Sequence, residues 1–457
     1  MKNYIYRILS ALGLIAGCLF SIKAQHSDHT LLATDADFAR ISQNPSYIPV
    51  HDKVIVGLPL ISHLSTEVHL PSAPNSIIFK DANGTYIVLD KAIRALADRS
   101  FFTALNADLF SLGIKGESGF YSLNIGMRAD VMGMLNAALA DFAVKGNAHY
   151  MGKDTSLGHI PVAHRRYLQA AFGYANDKIL ESRNLRLGAR LKFITMASGA
   201  FSDGGDFVIR TDDKGRSIRL SGKQHYLVNN SGAVKRNAEG DIDMIDLGKG
   251  MLLDRSFANY GLGVDLGAEY ILDKQWSFGL SVTDLGFIHW NRENLKSVEL
   301  DLTGDKEIEF QGVNFSNALL NKEQGRDPYF DKLIRDLESA LSVRSADRSY
   351  TSSLYTRIGA TAEYTPVEEV KVKALLGGTW IGDRFHHEAV LSSSYRPGSF
   401  FTAAVSVSSM RSTPFSLGGA VVLGDGFQTI LAVDNLLALD YTGVNRTAVR
   451  LGINFRF

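Results

Sequence analysis

The sequence predicts an all-β fold, namely a transmembrane antiparallel β-barrel of about 14 strands with an N-terminal luminal hatch and partly helical extracellular loops. Three observations lead to this fold: an export signal, long stretches in which apolar and polar side chains alternate, and a regular succession of short and long connections. The 457 residues suffice for one large barrel or for two to three soluble domains, so length alone leaves both open.

The first 24 residues have the features of a secretory signal peptide. After a positively charged start, an apolar run extends to Ile22, and Ala24 precedes the expected cleavage site. The alternative is a lipoprotein, because Ile15-Ala16-Gly17-Cys18 resembles a lipidation motif that would make Cys18 the first mature residue. Cleavage after Ala24 would leave a mature chain without cysteine, so that no disulfide or thiolate metal site is expected.

Alternating side chains identify the strands. Beyond residue 24 no run of about 18 apolar residues remains for a spanning helix. Strict alternation instead runs through residues 120–131, 185–197, 258–271 and 447–457. Each run is long enough for a tilted strand to cross a bilayer, which takes about 9–11 residues, whereas strands of soluble sandwiches usually have about five or six. The pattern favours the outer membrane over a soluble exported protein.

The connections alternate in length as a barrel requires. Turns such as 272–275 are short, whereas the connections 71–101, 132–164, 198–257 and 284–348 are long. Barrels place short turns in the periplasm and long loops outside. We therefore expect a signal peptide over 1–24, a hatch over 25–53 and the barrel over 54–457, with a distortion at Pro59 of the first strand. The expected strands lie near 54–70, 102–115, 120–131, 165–175, 185–197, 258–271, 276–290, 350–364, 369–381, 385–396, 399–410, 415–424, 427–434 and 446–457.

The composition and the C-terminus bear on partners. Lys and Arg together number 48, as do Asp and Glu, so no net positive field attracts nucleic acid. The chain closes with Asn454-Phe455-Arg456-Phe457, an alternating strand with a terminal aromatic residue. This ending resembles the signal read by the barrel-assembly machinery. Phe455 and Phe457 are the candidate assembly signal, and that machinery and outer-membrane lipid are expected partners.

Two segments resemble a known family. Residues 43–49 read Gln-Asn-Pro-Ser-Tyr-Ile-Pro, and residues 281–290 read Ser-Val-Thr-Asp-Leu-Gly-Phe-Ile-His-Trp. They resemble the Bacteroidetes outer-membrane barrels known as the domain of unknown function 5723 family, which is similar in turn to the long-chain fatty acid transporter (FadL-like) barrels. In that wider group an Asn-Pro-Ala segment lies in an N-terminal hatch inside a fourteen-stranded barrel. Ser46 stands here in place of the alanine.

The interior supplies two sets of candidate residues. A barrel this wide needs a plug, and Asn44, Pro45 and Pro49 favour a fixed, non-helical hatch; the alternative is a periplasmic tail. Charged residues on the lumen face indicate either an anion-attracting pathway or internal ion pairs that hold the plug. This lumen-lining set comprises Arg128, Asp130, Arg186, Arg190, Lys192, Asp265, Glu269, Arg357 and Arg450.

The connection 284–348 contains a predicted helix. Asp327 can cap it, Pro328 suits its first position, and an apolar stripe continues to Leu341. By resemblance to the fatty acid transporters, this stripe is a candidate ligand groove; the alternative is packing onto the barrel rim. The candidate ligand-binding residues are Phe330, Leu333, Ile334 and Leu337.

No enzyme, cofactor or metal site is expected. The acidic groups around Asp203 with Asp206, and around Asp241, Asp243 and Asp246, lack the full calcium-loop pattern. No catalytic Ser/His/Asp set can be assembled from spacing. The leading hypothesis is an outer-membrane barrel that takes up small, hydrophobic molecules past the hatch. The alternative is an interaction protein, for example an attachment or shuttle barrel for secretion-system proteins of the type IX machinery.

Overall fold

The structure is a computed structural model that describes most of the chain from His29 to Phe457. The described residues are 29–35, 38–50, 52–76, 78–81, 84–87, 91, 95, 97, 99–134, 136–138, 141–142, 148–229, 234–236, 242–245, 257–310, 339–381, 384–410, 413–440 and 444–457. The expected signal peptide, Cys18 and the candidate groove residues Phe330, Leu333, Ile334 and Leu337 lie outside them.

Strands dominate the described chain. Short 3-10 helices cover Phe38–Ser42, Pro74–Ser76, Ala148–Tyr150, Gly304–Lys306 and Leu436–Asp440. No helix of the described residues is long and apolar enough to cross a membrane. The strands are β1 (Val54–Gly57), β2 (Leu64–His69), β3 (Ile78–Asp81), β4 (Gly84–Ile87), β5 (Ser100–Gly116), β6 (Gly119–Met134), β7 (Asp154–Gly158), β8 (Val162–Asn176), β9 (Leu185–Thr211), β10 (Ile218–Asn229), β11 (Val234–Arg236), β12 (Ile242–Ile245), β13 (Tyr260–Ile271), β14 (Trp276–Trp290), β15 (Leu295–Leu302), β16 (Ile308–Phe310), β17 (Leu341–Ser345), β18 (Tyr350–Ser353), β19 (Arg357–Val367), β20 (Val370–Ile381), β21 (Arg384–Tyr395), β22 (Phe401–Met410), β23 (Thr413–Leu423), β24 (Phe427–Val433) and β25 (Arg446–Arg456).

Antiparallel pairing closes the sheet into a barrel. β1 and β2 lie one after the other between β5 and β25, so the first and last strands meet. β18 and β19 likewise share one position beside β14. A closed antiparallel barrel results, with fourteen strand positions, each called here a stave. Two staves are these composite strands, and the other twelve are the continuous strands β5, β6, β8, β9, β13, β14 and β20 to β25. The predicted antiparallel β-barrel and its strand count are confirmed.

The first stave is broken where the sequence predicted a distortion. Between β1 and β2, residues 58–63 leave the ladder, and Leu60 adopts a positive φ of 69°. Pro59 cannot donate a ladder hydrogen bond, which favours an interruption at this position. The chain nevertheless stays attached, because the Leu58 amide donates to the Ile453 carbonyl at 3.0 Å.

Burial alternates along the staves as the sequence indicates. On β13 the side chains of Leu262 and Leu266 are exposed on the outer surface, whereas Asp265 between them is completely buried in the interior. Leu280 on β14 is 64% exposed. An outer surface of leucine and aromatic side chains is stable only against an apolar solvent, since exposing it to water costs about 25 cal/mol per Å².

Part of the outer connections is strand rather than loop. β9 continues to Thr211 instead of ending near residue 197, and with β7, β10, β15 and β17 it forms a sheet beyond the barrel, called here the outer extension. Its glycine- and acid-rich stretch 198–206 reads as a loop in the sequence. Positive φ values at Gly204 and Gly205 accommodate a bulge there, so that the ladder continues.

The helix predicted in the connection 284–348 does not extend to Leu341. Leu341, expected at the end of its apolar stripe, is the first residue of β17 and pairs with Leu300 of β15. That part of the prediction is wrong, because the ladder to β15 provides the backbone hydrogen bonds that a further helical turn would have needed. Residues 311–338, where the rest of the helix is predicted, lie outside the described residues.

Candidate functional site: the barrel interior and its N-terminal segment

Residues 29–35 and 38–50, called here the N-terminal segment, lie inside the barrel. Leu31 is buried against inward-facing Ala420 and Ile430, and Leu32 packs with Leu375 and Val390. Nearer the short turns, the segment contributes to a second apolar cluster. That cluster contains Phe38, Ile41, Tyr47 and Ile48 together with the barrel residues Ile55, Phe120 and Ala175.

Asp434 binds the beginning of the segment. Its carboxylate accepts hydrogen bonds from the backbone amides of His29 at 3.2 Å and Thr30 at 3.0 Å, and from the Thr30 hydroxyl at 2.7 Å. The Ser392 hydroxyl donates to the Thr30 carbonyl at 3.0 Å, and the Ser394 hydroxyl donates to the Ala33 carbonyl at 2.8 Å. These contacts are made by barrel side chains, so the segment is held without joining the β-ladder.

A recess in the wall receives the Asn-Pro-Ser turn. Asn44 Oδ1 accepts from the Ser46 amide at 3.0 Å and hydroxyl at 2.7 Å, while Asn44 Nδ2 donates to the Ala268 carbonyl of β13 at 3.3 Å. A Cβ at Gly188 would lie 2.1 Å from the Pro45 carbonyl oxygen, and one at Gly267 would lie 2.0 Å from Asn44 Oδ1. Paired glycines on β9 and β13 therefore make room for the turn.

Charged groups surround the segment near the short turns. Arg40 pairs with Asp35 at 2.6 Å and lies 4.7 Å above the ring of Tyr47. Lys371 of β20 also pairs with Asp35. The Pro49 carbonyl accepts from Lys115 Nζ at 2.8 Å. The hatch residues predicted from sequence, Asn44, Pro45 and Pro49, thus all face barrel residues.

The predicted lumen-lining residues face the interior, and eight of the nine take part in the ion pairs given below. Of the two alternatives, the geometry corresponds to internal ion pairs, because the cations are neutralised within hydrogen-bonding distance. Arg450 is buried on β25. The pairs are Arg128–Asp108 at 3.0 Å, Arg165–Asp130 at 3.1 Å, Arg186–Glu269 at 3.0 Å, Arg190–Asp265 at 3.2 Å, Lys192–Asp265 at 2.7 Å, Lys192–Asp284 at 2.6 Å and Arg357–Glu388 at 2.7 Å.

One of these groups, Arg165 of β8, spans the lumen. Its guanidinium donates to Asp130 of β6 and, at 2.7 Å, to the Ser353 carbonyl at the end of β18. It also lies 3.6 Å from the ring centre of Tyr355, whose hydroxyl donates to Asp130 at 3.1 Å. The sequence analysis missed this group. Its signal was the phase of Arg165, which falls on the inward face of the strand predicted over 165–175.

An apolar cluster fills the interior beside this group, on the side of the long connections. Trp290 and Leu295 are completely buried, and Phe201 packs 4.9 Å from the Trp290 ring. The Trp290 indole donates to the Ser352 hydroxyl at 3.0 Å, so its polar atom is satisfied. The described interior is therefore closed by wall side chains at this end.

Three cavities lined by described residues lie near the short-turn end. The first, of about 840 Å³, is a groove on the outer surface of the wall; the second, of about 40 Å³, lies between the wall and the N-terminal segment; the third, of about 200 Å³, is at the mouth. Ser281 and Gly359 line both the first and the second cavity. Arg40, Tyr47 and Glu269 line both the second and the third.

The C-terminal strand completes the barrel. The Phe457 carbonyl accepts from the amides of Lys53 at 2.7 Å and Val54 at 2.9 Å, which joins the last residue to the first stave. The Phe455 ring faces outward and packs 5.4 Å from Phe427, and Phe457 is exposed.

The outer extension carries its charges in water. Lys223 of β10 and Asp301 of β15 are cross-strand partners, 2.6 Å apart. The hydrogen bond from Lys223 holds the pKa of the Asp301 carboxyl below its ordinary value, and the bond to Asp301 raises the pKa of the Lys223 ammonium. No group of three or more His, Cys, Asp or Glu side chains within the described ranges could hold a metal ion.

The barrel resembles several solved structures. The toluene transporter TbuX of Ralstonia pickettii is 10% identical, with a TM-score of 0.47 over 96% of this chain and 100% of that one. The CymD monoaromatic hydrocarbon channel is 12% identical, with a TM-score of 0.44 over 93% of this chain and 94% of that one. The toluene transporter TodX of P. putida is 9% identical, with a TM-score of 0.41 over 95% of each chain.

Comparison of the sequence with protein families identifies the family of this chain. Comparison with curated proteins gives no match. A family profile matches residues 45–434, which include the Asn-Pro-Ser turn from Pro45 onward and thirteen of the staves in full. The chain belongs to the family of unknown function DUF5723.

Proposed function

We propose that the protein is an outer-membrane barrel that takes up small, hydrophobic molecules, with residues 25–53 acting as a removable hatch. The signal peptide over 1–24 would direct export, and the apolar outer surface suits a bilayer. Outer-loop residues Phe330, Leu333, Ile334 and Leu337 remain the predicted capture site. Catalysis has no part in this proposal.

One observation carries the proposal: the N-terminal segment crosses the interior but is attached through side chains. Its contacts to Asp434, Ser392 and Ser394 are individual hydrogen bonds, each worth about 0.5–3 kcal/mol. A stave of the wall, by contrast, is joined to its neighbours by a continuous ladder. A segment held in this way can leave while the barrel stays closed.

A reversible lock tests the hatch. Thr30 of the segment and Ser406 of β22 face each other at 3.0 Å between their hydroxyl oxygens. In a chain whose native Cys18 has been removed with the signal, Thr30→Cys with Ser406→Cys can form a disulfide. We expect the oxidised variant to lose uptake of a neutral aromatic hydrocarbon or a long-chain fatty acid into proteoliposomes, and reduction to restore it.

The chain offers a matched control for this lock. Ser62, in the break of the first stave, and Ser111 of β5 face each other at 3.2 Å, and neither belongs to the N-terminal segment. Ser62→Cys with Ser111→Cys should leave uptake unchanged in either redox state. Equal uptake by the oxidised hatch variant and this control would overturn the hatch. A wild type that takes up neither probe faster than empty vesicles would overturn uptake itself.

A second candidate function is attachment or shuttling of secreted proteins for the type IX machinery. It is favoured by the outer extension, whose described edge strands β7 and β17 each pair with a single neighbour. An edge strand can add a strand from a partner. Photo-crosslinking from Arg344 on β17 in cells should then capture one discrete protein. Absence of any adduct from that position would count against this function.

A further inference from the structure

A turn of four apolar residues interrupts the first stave. Residues 58–61, called here the knob, read Leu-Pro-Leu-Ile and lie between β1 and β2. The Ile61 amide donates to the Leu58 carbonyl at 3.2 Å, which closes the turn. The Leu60 amide donates to the Asp108 carbonyl of β5 at 2.8 Å, so the turn is tied to the neighbouring stave. The knob is therefore a fixed part of the wall.

Leu60 at the tip of the knob faces outward. Its side chain is 58% exposed, whereas the inward-facing neighbours Ser62, His63 and Ser111 are buried. Its φ of 69° lies in the left-handed region, where the third residue of a tight turn is usually glycine or asparagine. A bulky residue held in such a strained conformation points to a use for its side chain.

An apolar groove lies elsewhere on the same outer surface. It is the cavity of about 840 Å³ that crosses the outward faces of β9, β13, β14, β19 and β20. The side chains of Ala189, Ala268 and Ala360 in this groove are small. Leu280 and Leu376 beside them are 64% and 67% exposed. The groove is thus a depression with raised aliphatic borders.

The knob and the groove lie on opposite sides of the barrel. β14 and β19, at the centre of the groove, are six and seven staves from the first stave in a barrel of fourteen. Their heights above the short turns are similar, because Leu60 is six residues from the start of its stave at Val54 and Leu376 is six residues from Val370. Two copies with the same orientation in a membrane can therefore bring a knob to a groove.

The two surfaces are also matched in chemistry. None of the described residues that form the knob or line the groove is charged. Between such surfaces in a bilayer the hydrophobic effect contributes little, because acyl chains are as apolar as leucine, and association depends on close packing. A rigid turn fits a depression without the ordering cost that a flexible occupant incurs. These properties favour the knob of a second copy over an acyl chain as the occupant of the groove.

We propose that the knob of one barrel occupies the groove of the next, so that copies of this chain associate side by side in the membrane. The contact is heterologous, since two different surfaces meet. Because these surfaces lie on opposite sides, the contact does not close on itself, and the association continues as rows. It uses only the outer surface, so it is separate from the hatch and from uptake by a single barrel.

Cysteine crosslinking in isolated outer membranes tests the direction of the contact. In a mature chain without Cys18, Leu60→Cys and Ala268→Cys are combined, and the thiols are joined by a short bifunctional maleimide. We expect a ladder of dimers, trimers and longer products on a denaturing gel. Either substitution alone should give no product. Co-expression of the two single variants should give dimers only, because each chain then carries one half of the contact.

The chain offers a matched control for the crosslink. Val405, on the outward face of β22, is 58% exposed like Leu60 but belongs to neither surface. Val405→Cys combined with Ala268→Cys should give no ladder. An equal ladder from this pair would show random collision and would overturn the proposal. So would a Leu60→Cys/Ala268→Cys chain that gives no product or stops at dimers, or dimers formed by Leu60→Cys alone.

Packing variants test whether the contact depends on shape. The membrane is extracted with an amphipathic copolymer, and the masses of the particles are measured. The wild type should include particles with two or more barrels. Leu60→Gly, which suits the positive φ but removes the side chain, and Ala268→Trp, which fills the groove, should each reduce these particles several-fold. Val405→Ala and Ala403→Trp, both on the lipid face of β22, should match the wild type.

Two further measurements keep the outcome decisive. Folding of every variant is checked by the heat-dependent gel mobility of the barrel, so that only folded barrels are compared. Native mass spectrometry of the same particles identifies what fills the groove. A phospholipid retained by wild-type monomers and lost from Ala268→Trp would assign the groove to lipid and overturn the proposal. Multimers that persist in both Leu60→Gly and Ala268→Trp would also overturn it.

Discussion

The two halves of the lumen are closed in physically different ways. Toward the long connections, side chains of the wall itself meet across the interior, as Arg165 of β8 does with Asp130, Ser353 and Tyr355. Toward the short turns, the N-terminal segment fills the space and is held by side-chain contacts. From this difference we expect the first closure to contribute to barrel stability, and we expect the second to be able to change while the barrel persists.

The largest effect is expected from breaking the wall closure. Arg165→Met would leave the buried Asp130 carboxylate without its cation, which costs about 3–5 kcal/mol of the free energy of unfolding. Guanidinium unfolding of the refolded barrel in detergent measures it. Arg210→Met is the matched control, because its partner Asp154 and Arg210 itself are both exposed, and such pairs contribute about 0–1 kcal/mol. Equal losses in both variants would contradict the comparison.

A smaller and more local effect is expected at the other closure. Asp434→Ala removes the acceptor of the His29 and Thr30 amides, so the free energy of opening the N-terminal segment should fall by roughly 1.5–3 kcal/mol. Hydrogen exchange should accelerate in residues 29–35 more than in the staves. Asp425→Ala in an exposed turn serves as control. Exchange that rises equally throughout the barrel would show that the two closures are not separable.

The glycine recess permits a comparable test from the wall side. Gly267→Ala puts a methyl group where Asn44 Oδ1 now lies, and overpacking of this kind costs about 1–3 kcal/mol. We expect faster proteolysis within residues 38–50 with the barrel intact. Gly398→Ala, where an added Cβ would meet nothing within 4 Å, should be neutral. Unchanged proteolysis would mean that the recess does not position the turn.

The smallest effect is expected in the outer extension. Lys223→Ala removes the main cause of the lowered pKa of Asp301, so that pKa should rise toward its ordinary value. Both groups are only partly buried and lie in the outer extension, so the barrel should unfold as before. Side-chain NMR titration of Asp301 against pH measures the change. A pKa that stays low would assign the shift to Thr303, the second group that hydrogen-bonds this carboxylate.

The staves could be predicted closely because their signal is local. The run 258–271 alternates in the sequence, and β13 covers Tyr260–Ile271 with Leu262 outside and Asp265 inside. The end of β9 could not be predicted in the same way. Its continuation beyond residue 197 depends on Gly204 and Gly205 adopting a bulge against β10, which is a property of the pair of strands.

The interior residues likewise include properties that the local sequence predicts and contacts that depend on how the strands pair. Lys192 and Asp265 were identified as luminal from their phase, but their pairing depends on the register of β9 with β13. Asp434 was not identified, although it continues the inward phase of Ile430 and Ala432 at the end of the strand predicted over 427–434, because phase alone does not show what an inward side chain binds. Its binding of Thr30 joins residues 404 positions apart in the chain.

By itself, the sequence determined that the chain forms alternating strands, how many there are, and which side chains face the interior. These properties follow from a repeat of two residues and from connection lengths, both of which are local. Only the tertiary structure decided which charges meet and where glycines admit Asn44. Those contacts depend on the register and closure of all fourteen staves together, and no single stretch of sequence encodes that geometry.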